Sequence, residues 1–157
     1  MPSPIADLRN LLLAETAAVQ KFIKLLQTES DALTEQGLFD QLPDLTAEKN
    51  LLAQELGELA VHRNAALQTL GFGADHAGTQ AAAEAHPEIT PLWETLLVHS
   101  AEARDLNLQN GTLIDTHLQH VRLSLDALGV VTGANQQLYN AQGRASGLPS
   151  GKSLATG

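Results

Sequence analysis

Six histidines, eighteen carboxylates and no cysteine bound the chemistry open to this chain. His117 and His120 are three residues apart, close enough on one helical face to hold a metal together. A site needs a further ligand, however, and the Glu-x-x-His signature of di-metal helical bundles occurs nowhere in the sequence. The plainer reading is one histidine in a packing seam beside one in water. Glu58 and His62, four apart, read as a surface hydrogen-bonding pair. His76 and His86 fall in a glycine-interrupted stretch and are expected in solvent.

Phosphotransfer at a histidine requires nearby positive charge and close access for phosphate, which helical phosphotransfer domains supply with a Lys-Gly step after the acceptor. Here His99 is followed by SAEAR and His117 by LQHVR, so the match fails. Nucleophilic catalysis needs an activated Ser or Cys at a strained elbow with a positioned base. The serines sit at caps, on helical stretches or in the C-terminal segment, and the glycines punctuate helices instead of cradling phosphate. The residues point to no enzyme, no cofactor and no metal.

The polar residues that do stand out interrupt apolar seams. Lys49, Arg63 and Asn110 each occupy a position where the heptad spacing calls for an apolar side chain. Two readings stay open. Such residues can lie at a seam's edge and extend their polar ends to water, or they can fix register and orientation at some loss of stability.

The elements that carry these residues follow from periodicity and caps. Ser3-Pro4 supplies an N-cap and a first-turn proline. Ile5, Leu8, Leu12, Glu15, Val19, Phe22, Leu26, Glu29 and Leu33 then recur at spacings of three and four, and seven of these nine are apolar. This predicts a helix over about 4–36. A second, over about 40–70, starts at Asp40 as N-cap and follows Leu42, Leu45, Leu52, Leu56, Leu59, Ala66 and Leu70. A third, over about 88–128, opens at Pro87 or Thr90-Pro91 and continues through Leu92, Leu96, Ala103, Leu106, Leu113, His117 and Val121 to Leu128. Gly37, Gly71 and Gly129 each stand where a left-handed residue would end a helix, followed by an apolar residue that can contact one five positions earlier.

Residues 71–87 carry three glycines and read mainly as a connection, with at most a short helix around Thr79–Ala85. Residues 134–157 are rich in Gly, Ser, Gln and Asn and read as a flexible tail of 24 residues, with Leu138 and Tyr139 as its anchors. The expected fold is therefore all-α: an elongated antiparallel bundle or coiled coil of three long helices over 1–133, with that tail behind it.

Composition narrows the partners. The formal charge is −9, which disfavours nucleic acid and anionic membrane. The five aromatics are too few for a base-stacking platform. MPSPIADLRN lacks a basic segment leading into an unbroken apolar run, and no stretch approaches the roughly 20 apolar residues of a membrane span, so a cytoplasmic location is expected. What remains is a protein that binds protein through its helices.

The order of elements and several local runs resemble the FlgN family of flagellar export chaperones over most of residues 1–145. LRNLLLAETAAVQKFIKLLQTESDAL is similar to the family's opening helix. LTAEKNLLAQELGELAVHRNAAL followed by LG is similar to its second, with Lys49-Asn50 and Arg63 in place. LNLQNGTLIDTHLQHVRLSLDAL matches its Asn-Gly-x-Leu-Ile region, and LYNAQGR its Tyr-x-x-x-Gly tail. The resemblance implies binding of the hook-filament junction proteins FlgK and FlgL in the cytoplasm, shielding of their terminal helices, and delivery to the type III export apparatus. The residues expected to meet a partner are Leu106, Asn110, Leu113, Ile114, His117, Val121, Leu125 and Leu128 on the third helix, with Leu138 and Tyr139 in the tail. By resemblance Tyr139 contacts the export gate, the alternative being that it anchors the tail. RASGLPSGKSLATG is not matched to any run of the family and is assigned no role. The alternatives are a self-associating structural coiled coil, hence a homo-oligomer, and the phosphotransfer bundle.

Overall fold

In a computed structural model, residues 1–35 and 37–129 are described in full, together with the backbone of two short strands further on. Helix α1 (Pro4–Thr34) starts where the sequence supplies its cap: Ser3 Oγ accepts the Ala6 N–H at 3.3 Å, and Pro4 follows. A 3₁₀ turn, Phe39–Gln41, leads into α2 (Leu42–Thr69), which is followed by α3 (His76–Ala85) and α4 (Thr90–Ala127). Strands β1 (Leu138–Tyr139) and β2 (Ala145–Ser146) pair antiparallel, Leu138 opposite Ser146 and Tyr139 opposite Ala145. The protein is an all-α bundle with three long helices. The expectation of a flexible tail otherwise lies outside the described residues. Met1–Leu108 forms one compact unit and Gln109–Gly157 another, with α4 contributing to both.

Gly37, Gly71 and Gly129 all have positive φ (90°, 86° and 70°), the left-handed conformation their helix-stop reading requires. Around Gly71 the cap is complete: Phe72 N–H donates to Leu67 C=O at 2.9 Å and Gly71 N–H to Gln68 C=O at 3.0 Å. Asp40 departs from its expected role. It falls inside the 3₁₀ turn, and α2 begins after Gln41 with no side-chain cap.

The α1 seam is the centre of the first unit. Leu8, Leu12, Glu15, Val19, Leu26, Glu29 and Leu33 are buried, and Ile5 and Phe22 are half-buried. Two of the buried side chains are carboxylates, at 5% and 3% exposure for Glu15 and Glu29. Each meets a cation from the α2 seam: Arg63 Nη1 donates to Glu15 Oε2 at 2.5 Å, and Lys49 Nζ to Glu29 Oε1 at 3.2 Å. The edge-of-seam reading therefore fails for Lys49 and Arg63, whose ends turn inward to carboxylates. From Glu15 to Glu29 is fourteen residues, and so is the return from Arg63 to Lys49. The helices are thus antiparallel and pinned at two points two heptads apart, about 21 Å along the axis. Asn110, on α4, is buried at 1% exposure.

The Glu15–Arg63 pair is incompletely satisfied. Glu15 Oε1 and Arg63 Nε are buried without a hydrogen-bond partner among the described residues. Burial pushes the Glu15 carboxyl above the ordinary glutamate range, and the neighbouring Arg63 charge pulls it only part of the way back.

The stretch after Gly71 is a packed element and not an open connection. Asp75 caps α3 by accepting the Gly78 N–H at 2.7 Å, and Thr79 Oγ1 donates to the Asp75 carbonyl at 2.9 Å. Gly78 is obligatory here because a Cβ would come within 1.8 Å of the Gly73 carbonyl oxygen. Thr90 Oγ1 ties the start of α4 back to the Ala83 carbonyl at 2.6 Å, so this threonine links two helices. Trp93, the chain's one tryptophan, is buried beneath α3 and donates its Nε1–H to Gln80 Oε1 at 2.7 Å. His76 is exposed as expected while meeting the Trp93 ring edge-on at 5.0 Å between centroids, whereas His86 is half-buried and meets Phe72 at 6.1 Å.

Arg63→Met, which leaves Glu15 buried without its counter-charge, is expected to lower stability on the order of 3 kcal/mol in urea unfolding followed by helical circular dichroism. Adding Glu15→Leu should recover most of that loss. The pH dependence has a definite sign: because the folded Glu15 pKa is raised, its contribution is fully present below the ordinary glutamate range and is lost as pH rises through the raised value. Glu15→Gln should therefore gain on the parent as pH climbs through that window, and a flat difference would contradict the assignment. Separately, Gly78→Ala should lift α3 and shift Trp93 fluorescence to longer wavelength while leaving most helical dichroism intact.

Candidate partner-binding surface

From Leu106 onward α4 carries seven of the ten residues expected to meet a partner, and an eighth, Leu128, follows directly after the helix end at Ala127. The helix runs unbroken through Asn107, Asn110 and Gly111, although an interior glycine costs about 1 kcal/mol relative to alanine. Asn110 and Gly111 are buried, so the small residue stands on the inward face. Thr116 Oγ1 satisfies itself on the Thr112 carbonyl at 3.0 Å.

At about 100° per residue, Asn110, Leu113, Ile114, His117, Val121, Leu125 and Leu128 fall on one stripe of the helix. Exposure rises from Asn110 to Leu128, although Leu125 is less exposed than Val121 before it. Asn110 is engaged within the chain, and Leu113, Ile114, His117 and Leu125 are half-buried. Val121 is 40% exposed and Leu128 77%. Asp115, Arg122 and Asp126, all exposed, mark one edge of the stripe. The helix thus presents an aliphatic strip that is increasingly open toward its C-terminal end, bordered by charge. Such a strip can accept the apolar face of an amphipathic helix.

The ten residues do not all belong together. Leu106 packs against the core of the first unit, and Asn110 is interior and not an accessible contact. Leu138 and Tyr139 lie in β1, and their side chains fall outside the described residues. Among the described residues no three His, Cys, Asp or Glu side chains gather as a metal site, and no helix is long and apolar enough to cross a membrane.

Sequence reasoning missed two things. Leu108 and Leu123, off the stripe, are also largely exposed, and a leucine outside the heptad positions was the available signal. It also missed an open groove between α1 and α2, bordered by Lys21 and Lys24. Finding that groove requires knowing how far the two helices are offset, which periodicity does not give.

The exposure gradient separates folding from surface effects. Val121→Asp and Leu128→Asp are expected to change unfolding stability by no more than about 0.5 kcal/mol. Leu113→Asp, at a half-buried site, should lose on the order of 1–3 kcal/mol. Urea titrations of the three variants check this ordering.

Compared with known proteins, residues 1–147 match the family described as FlgN protein. No curated protein and no solved structure matches the chain significantly.

Proposed function

The chain belongs to the FlgN family, and from that premise we propose that it is a cytoplasmic chaperone of the hook-filament junction proteins FlgK and FlgL. The family's role is that of a flagellar export chaperone, which binds flagellar export substrates. The finer reading is that an amphipathic terminal helix of FlgK or FlgL lays its apolar face on the α4 stripe. There it is kept from assembling early and is then passed to the type III export apparatus.

The observation that carries this reading is the stripe from Leu113 to Leu128, whose aliphatic side chains become more exposed toward the helix end. Apolar side chains at helical spacing are poorly satisfied in water, at roughly 25 cal/mol per Å². A client helix with anchors at i, i+3, i+4 and i+7 would cover them. A chaperone must also release its cargo, which suits a strip of moderate area better than an enclosed pocket.

Co-expression with FlgK or FlgL, followed by size-exclusion chromatography, tests the proposal. A stoichiometric complex is expected, and Val121→Asp with Leu128→Asp should weaken it about tenfold or more, since each buried aliphatic side chain contributes roughly 1.5–3 kcal/mol. Absence of any complex with either protein sinks the client assignment. An unchanged affinity in the double variant removes α4 as the site.

A further inference from the structure

We infer that the groove between α1 and α2 is a second docking site, shaped for one amphipathic helix of a partner protein that carries acidic residues along one edge. The groove has a volume of about 620 Å³ and lies wholly within the first unit. Leu25, Leu45 and Leu52 form its floor, and Leu51, 68% exposed, stands up as one wall. Leu45 and Leu52 are one heptad apart, about 10 Å along the helix, which matches apolar anchors at i, i+4 and i+7 of an incoming helix.

The rim sets the chemistry of the occupant. Lys21 and Lys24 lie one turn apart on the α1 side, and both are exposed. Glu48 lies on the α2 side. Neither lysine's ammonium group enters an ion pair or hydrogen bond among the described residues, whereas Lys49 and Arg63 are committed to buried glutamates. In a chain of net charge −9 with four lysines, two unpaired lysines beside an apolar slot are a local reversal of sign. A helix with carboxylates over α1 and a cation over Glu48 answers both edges at once. A second copy of this chain fits less well. The slot takes one helix, not a two-helix face, and two copies would set −9 against −9.

The groove shares no residue with the α4 stripe, and its test needs no flagellar protein, so the two readings fail independently. Two synthetic helical peptides share leucines at i, i+4 and i+7. One carries Glu on the edge meeting α1 and Lys on the other, and its twin has the charges reversed. Binding to the full chain is followed by fluorescence anisotropy of labelled peptide and by amide shifts in NMR spectra. The acidic-edged peptide should bind about tenfold more tightly than its twin, with shifts centred on residues 21–28 and 45–52. Lys21→Glu with Lys24→Glu, both exposed positions, should invert the preference while helical dichroism is retained. Leu51→Asp should weaken both peptides. Equal binding of the two peptides, shifts elsewhere, or a preference unchanged in the lysine variant would overturn the proposal. So would a doubling of mass in sedimentation equilibrium that Leu51→Asp abolishes, because the groove would then belong to a second copy.

Discussion

The first unit is organised around the contact of Glu15 with Arg63. A seam of leucines alone does not define register. If α2 slid by one heptad, Arg63 would face Leu8 or Phe22, and most leucines would still meet leucines. The charges exclude those alternatives, because a slid helix would leave two carboxylates and two cations buried against aliphatic side chains, a loss of several kcal/mol for each uncompensated charge. The second pair, Lys49 with Glu29, repeats the constraint two heptads away, so tilt is fixed together with register. The raised Glu15 pKa shows that the pair does not fully offset its own desolvation. Its role is to select one arrangement of the helices; the aliphatic core supplies the bulk of the stabilisation.

The same arginine extends the constraint to the other helices. Arg63 Cζ lies 6.0 Å from the centroid of the Trp93 ring, within the range of a cation–π contact. Trp93 is bound in turn to Gln80 of α3. One connected set of side chains, Glu15, Arg63, Trp93 and Gln80, therefore takes one member from each of the four helices. α3 buries only small residues, Gly78, Thr79, Ala82 and Ala83, and its placement depends on this polar anchoring together with the Asp75 cap.

Much of this fold was legible in the sequence, for reasons that can be stated residue by residue. The α1 seam followed from spacing, since burial of leucines on one face is what makes a long helix stable in water. The three glycine stops followed from the steric freedom of a residue without Cβ. Glu15 and Glu29 could be seen on the seam and Lys49 and Arg63 on its partner, but joining them required the antiparallel register, a property of two helices and not of either periodicity. α3 was faint because alanine gives little hydropathy contrast and Gly78 looks like a breaker until its approach to Gly73 is known. Asp40 had the type of an N-cap, but the 3₁₀ turn took it instead. On α4 the direction of the stripe was readable, whereas its gradient from Asn110 to Leu128 depends on what lies over each side chain, which a single sequence does not record.

These features divide the labour within the chain. In the first unit, paired charges and a buried tryptophan hold aliphatic helices in one arrangement, so local openings there must break several contacts together. On α4 beyond Gly111 the side chains are half-buried or exposed, and among the described residues no comparable polar lock holds Val121, Leu125 or Leu128. A strip that is apolar but only partly covered can change partners with little loss of fold stability, because little of the core rests on it. The lysine-rimmed groove meets the same condition: Lys21, Lys24, Glu48 and Leu51 all face solvent, while the leucines under them are fixed by the register of α1 and α2. Placing adaptable surface on a framework locked by buried charge keeps that surface separate from the side chains that hold the fold.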